Sequence, residues 1–190
     1  MEENVSFKKV FLITMIISLS LSALIGIILF LIGDFGEIER KIFLTTLTIG
    51  GFSLTALCSS ALYDKHKYVV FSSLGMIIAV LGFLITTVAI WEILNFGNIK
   101  IIIILVILSV SIAHSSLLLL IKSEKTIVNI SLVLTLLFIS VVAIILIILV
   151  LSGFDLDFEF YYRILGVFAI LDVLGTIVTP IILKVTSMNN

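Results

Sequence analysis

Two residues in this chain could do acid–base chemistry in apolar surroundings. One is Asp172, in GVFAILDVLGTIVTP (residues 166–180); the other is His114, in SVSIAHSSL. A carboxylate inside a membrane is costly, by about 2.5 to 3.5 kcal/mol at a helix centre on insertion scales, which makes such a group a functional candidate by default. An imidazole takes up and gives up a proton near neutral pH. Asp172 shares a helical stripe with Gly166, Ala169, Thr176 and Thr179. Pro180 follows, and because it has no N–H it cannot donate to the carbonyl of Thr176 four residues before it. A second candidate is the segment SGFDLDFEFYYR, where Asp155, Asp157 and Glu159 alternate with aromatic and aliphatic residues. If extended, it would send carboxylates to one side and rings to the other, as an interfacial loop or an acidic rim that attracts hard cations. No zinc or haem motif occurs, since His66 and His114 are far apart and neither is followed by a second ligand at metal spacing. No cofactor is expected.

The elements that must hold these residues follow from composition. The chain has 190 residues, of which 62% are hydrophobic and 12% charged, and a mean hydropathy of +1.42. A soluble domain carries about a quarter charged residues, so the bilayer is the expected solvent. The charges fall in short clusters that separate six apolar runs: 10–32, 42–62, 68–91, 99–121, 127–151 and 164–183. About 20 residues of helix cross roughly 30 Å of hydrocarbon. The runs are rich in Ile and Val, a strand-like composition in water. In lipid every backbone N–H and C=O must be paired internally, and runs of this length are too long for barrel strands. The expected fold is therefore an all-α integral membrane protein, a six-helix transmembrane bundle with short loops in one polytopic domain spanning residues 1–190. The first run is longer than a secretory h-region and no A-x-A site follows it, so it reads as an uncleaved helix. A net charge of −1 with no basic stripe argues against nucleic acid.

Orientation follows from charge. Lys8, Lys9, Lys65, Lys67, Lys122, Lys125 and Lys184 would share the side of both termini, against Arg40, Lys41, Lys100 and Arg163 on the other. The positive-inside rule then puts both termini in the cytoplasm, in a protein expected in the plasma membrane. Trp91, Tyr161 and Tyr162 fall at the outer interface, and Tyr63 and Tyr68 at the inner one.

Counting along ideal helices gives depths below the outer interface. Asp172 comes at about 13.5 Å, Thr48 at about 12 Å, Gly50 at about 15 Å and His114 at about 21 Å. The second helix, IFLTTLTIGGFSLTALCSSAL, carries small and hydroxyl residues on two faces, which lets neighbours approach on both and suggests a central position. Thr48, Gly50, Gly51, Thr176 and His114 are thus expected to form, with Asp172, an intramembrane polar site near a meeting of helices 2 and 6. The roughly 7 Å difference in depth makes a direct bond between His114 and Asp172 unfavourable, and a water-linked proton path is conceivable.

Three function classes remain. A non-enzymatic subunit or scaffold, packing against other membrane proteins or itself, needs the fewest special features and ranks first. A proton- or ion-coupled transporter or channel using Asp172 with His114 ranks second. An intramembrane hydrolase is remote. Ser53 in GGFSLT, about 19.5 Å deep, is similar in placement to the serine of rhomboid-type proteases, with His114 at a similar depth. The pattern departs from theirs, with Leu54 where a small residue is expected and no loop or donor for an oxyanion.

Overall fold

The computed structural model describes residues 7–32, 36–65, 68–93, 99–123, 125–153 and 158–188. Six α-helices account for nearly all of them: α1 Phe7–Ile32, α2 Glu37–Tyr63, α3 Val69–Ile90, α4 Ile99–Leu119, α5 Thr126–Leu151 and α6 Phe158–Met188. All six are long and apolar enough to cross a membrane, and among the described residues there is no strand. The demand for internal backbone pairing has overridden the β-propensity of the Ile/Val-rich runs. Large apolar side chains stand exposed along every helix. On α6 they form a row of Val167, Ile170, Val173, Leu174, Ile177, Ile181 and Val185. These rows face the lipid bilayer, which replaces water as the surrounding medium.

Three helices start before their apolar runs. In α1, α2 and α6 the backbone ladder continues into the charged flanks, and in α2 and α6 side chains of opposite sign sit there one turn apart. Lys41 Nζ lies 2.7 Å from Glu37 Oε1 at the start of α2, and Arg163 pairs with Glu159 at the start of α6. Such i,i+4 pairs support a first helical turn. The segment from Phe158 to Arg163 is therefore helical, and the extended, alternating conformation considered for it does not hold there. At 31 residues α6 is about 46 Å long, well beyond the hydrocarbon thickness, so its ends reach into the headgroup layers.

The chain divides into two compact units, residues 1–109 and 110–190, with the division inside α4. In the first, α2 lies between α1 and α3. Its α1 side is zipped by small residues: Ser22 Oγ donates to Thr46 Oγ1 at 2.6 Å, and Gly50 receives the side chains of Leu19 and Ser18. On its α3 side, Phe52 lies against Gly82, Ala56 and Ala79 share a buried cluster, and Ser72 Oγ donates to the Ser59 carbonyl. Alternating small and large residues across both seams bring the helices close, which is how helices associate where lipid removes the hydrophobic drive. In the second unit α5 and α6 pack side by side, with Phe138 and Phe168 in ring contact and Gly175 of α6 against Thr135 of α5.

The glycine contacts separate packed from open positions. A Cβ on Gly175 would overlap the buried Thr135 side chain, whereas one on Gly51 or Gly166 would meet no heavy atom within 4 Å. Gly175→Ala is therefore expected to destabilise the fold by about 1 to 3 kcal/mol through overpacking, while Gly166→Ala is expected to be neutral or slightly stabilising through helix propensity. Unfolding of both variants in mixed detergent micelles checks the contrast.

Candidate functional site

Hydroxyl residues in a transmembrane helix can return their proton to a carbonyl three or four residues earlier, and most here do so. Thr45 donates to the Lys41 carbonyl, Thr55 to Phe52, Ser60 to Leu57, Thr135 to Ser131 and Ser140 to Leu136. On α6, Thr179 donates to the Gly175 carbonyl at 2.7 Å and Thr186 to the Ile182 carbonyl at 2.6 Å. This habit satisfies a polar group within its own helix.

Thr176 behaves differently. Its hydroxyl donates to the Asp172 carboxylate, at 3.5 Å, one turn earlier on the same face. The same oxygen lies 2.9 Å from Nε2 of His114 on α4. Helical periodicity puts residues 172 and 176 on one face, and His114 reaches that face from a different helix. All three side chains are partly buried. The count of depths had separated His114 from Asp172 by about 7 Å, and the Thr176 hydroxyl is the group that spans the interval. It makes a polar thread of imidazole, hydroxyl and carboxylate within one unit.

Below this thread, the seam between α5 and α6 continues to be polar. Ser131 Oγ and Thr179 Oγ1 are 2.8 Å apart, and Thr135 Oγ1 lies 3.5 Å from Thr179. Thr179 and Thr135 are fully buried. Lys125, preceding α5, donates from Nζ to the Thr186 carbonyl near the end of α6, where a cation complements the free carbonyls of a helix C-terminus.

Thr48, Gly50 and Gly51 belong to α2 in the first unit. Gly50 is a packing position for α1, Thr48 is partly buried, and Gly51 is exposed. Of the acidic rim, Asp155 and Asp157 lie outside the described residues. Glu159 is exposed and paired with Arg163 along α6. Ser53 is buried beside an apolar cavity of about 170 Å³ walled by Phe11, Phe52, Ala56, Ala79 and Phe83, with no acid–base side chain in its lining. That environment offers a serine no base to activate it.

Sequence reasoning missed a clasp between the start of α2 and the end of α3 in the first unit. Lys41 lies 3.3 Å from Glu92 as well as pairing with Glu37, and Trp91 Nε1 donates to Thr45 Oγ1 at 3.0 Å. These bonds tie the start of α2 to the end of α3. The signal for it was an interfacial Trp followed by an acid, with a Lys just before the apolar run of the second helix.

No protein-family model matches this chain, and neither a curated protein nor a solved structure matches it. The functional reading rests on the residues themselves.

Thr179 bonds to Ser131 across the α5–α6 seam, so Thr179→Val removes that bond while keeping volume and shape. The expected loss is about 0.6 kcal/mol and at most about 1.7 kcal/mol, the range for hydrogen bonds between membrane helices. Reversible unfolding in lipid–detergent mixtures measures it.

Proposed function

We propose that this integral membrane protein is a non-enzymatic subunit or scaffold that packs against other membrane proteins. The observation that carries the reading is how its intramembrane polar groups are used. Ser22 with Thr46, Ser72 with the Ser59 carbonyl, and Ser131 with Thr179 all tie one helix to the next. The chemistry invested in each seam is the chemistry of helix association. Gly166, in open space on α6, adds a position where another membrane-spanning helix could approach closely.

The occupant proposed for that position is a transmembrane helix of another membrane protein. Extraction in mild detergent should then recover the chain with a partner in fixed stoichiometry. Gly166→Cys, in a background where Cys58 is Ser, should cross-link to that partner. Recovery of a lone monomer, or of a complex containing this chain alone, would count against the subunit reading.

The orientation proposed is with both termini cytoplasmic in a plasma membrane, supported by seven Lys on that side against four Lys and Arg on the other. In the Cys58→Ser background, Cys introduced at Asn4 or Asn190 should stay unlabelled by an impermeant maleimide applied to intact cells and should react once the cells are opened. Labelling from outside at either position contradicts this orientation.

A second reading, proton- or ion-coupled transport, is favoured by one observation: the connection of His114, Thr176 and Asp172.

A further inference from the structure

Across the apolar spans of α4, α5 and α6, between Lys100 and Lys122, Thr126 and Leu151, and Arg163 and Lys184, the sequence holds two titratable side chains, His114 and Asp172. α5 contributes none. The nearest cation along α6 is Arg163, nine residues before Asp172 and about 13.5 Å away along the helix, exposed and paired with Glu159. On the other side the Lys125 ammonium donates to the Thr186 carbonyl. Residue 186 is 14 positions beyond Asp172, about 21 Å along the helix. The two groups therefore have each other as their facing acid–base partner. One hydroxyl joins them, 2.9 Å from His114 Nε2 and 3.5 Å from Asp172 Oδ1.

The choice of that hydroxyl is informative. Thr179 and Thr186 on the same helix give their protons to their own backbone, while Thr176 directs its proton to a carboxylate. The carbonyl of Thr176 also lacks its usual helical donor, since the residue four positions on is Pro180. The carbonyl of residue 176 is thus released from the regular ladder, and its hydroxyl is turned to side chains, at the place where the imidazole arrives.

We infer that His114 and Asp172 share one exchangeable proton through the Thr176 hydroxyl, making an acid–base relay inside the membrane. The inference goes beyond the packing reading and does not depend on it. Two arrangements are compatible with the same heavy-atom positions. In the first, Asp172 is the neutral acid: its Oδ1–H donates to Thr176 Oγ1, and the Thr176 O–H donates to Nε2 of a neutral His114 protonated on Nδ1. In the second, Asp172 is a carboxylate and His114 an imidazolium: Nε2–H donates to Thr176 Oγ1, and the Thr176 O–H donates to Oδ1. Passing from the first to the second breaks the Oδ1–H bond and the original Thr176 O–H bond. It forms a new Thr176 O–H bond and an Nε2–H bond. Threonine ends as it began, one proton has moved from carboxyl to imidazole, and no other reactant is needed. A proton shared in this way links the two groups, so that a change at one is felt at the other.

The test uses the full chain in lipid bilayers, with His66→Gln so that His114 is the single histidine. Two signals are followed against pH: the imidazole ¹⁵N resonances of His114, and the infrared C=O band of protonated Asp172, assigned by its loss in Asp172→Asn. In the parent protein both signals should change over the same pH steps. In Thr176→Val they should separate, each following its own transition. Thr176→Ser, which restores a hydroxyl, should bring them together again. Loss of the carboxylate in Asp172→Asn should alter the His114 ¹⁵N response to pH, which provides a readout should Thr176→Val fail to fold. Independent transitions in the parent protein would overturn the inference. So would coincident transitions retained in Thr176→Val, or a His114 transition indifferent to Asp172→Asn. None of these readouts depends on partner capture, so failure here and failure of the subunit reading are distinct results.

Discussion

Hydrocarbon offers no hydrogen bonds, and this single constraint organises the molecule. It forces the Ile- and Val-rich runs into helices, because only a helix pairs its backbone within one segment. It then acts on the side chains. A Ser or Thr in a span must give its proton to its own backbone, to a neighbouring helix, or leave a polar group unpaired at a cost of kilocalories. Thr55, Ser140 and Thr186 take the first course. Ser22 and Ser72 take the second, and in doing so they fix which helix lies beside which.

Close approach and polar contact are linked. Gly50 admits the Leu19 and Ser18 side chains, Gly82 admits the Phe52 ring, and Gly175 admits Thr135. Where a glycine opens the seam, hydroxyls on either side come within bonding distance, as Thr135, Thr179 and Ser131 do next to Gly175. The same logic places Thr176. It is one residue beyond Gly175, on the flank of the seam, where its hydroxyl meets His114 and the carboxylate one turn before it.

Much of this was legible in the sequence. Run length and the absence of charge gave six helices, and the Ser18, Ser22 and Gly26 spacing on α1 marks the face that packs on α2. The small residues on two faces of α2 anticipated its place between two neighbours. Helix ends were less legible, since hydropathy sees only the apolar run while the backbone ladder continues through ion-paired flanks such as Glu159 and Arg163. The site was legible in part. Counting depth puts Thr176 at about 19.5 Å, close to the roughly 21 Å of His114, so the bridging residue could have been found from the same arithmetic. Sequence depth does not reveal azimuth, however. The apolar residues of α4 surround it on all sides, so no periodicity in its sequence marks the face that turns His114 towards α6.

The central claim is that an imidazole on α4 is bonded to a hydroxyl on α6 in the folded membrane protein. Solid-state NMR on the isotopically labelled chain in lipid bilayers tests it most directly, by a through-space correlation between His114 Nε2 and Thr176 Cβ. The account predicts that this correlation is present, together with one between Ser131 and Thr179. Its absence from spectra that contain the Ser131–Thr179 correlation would contradict the account.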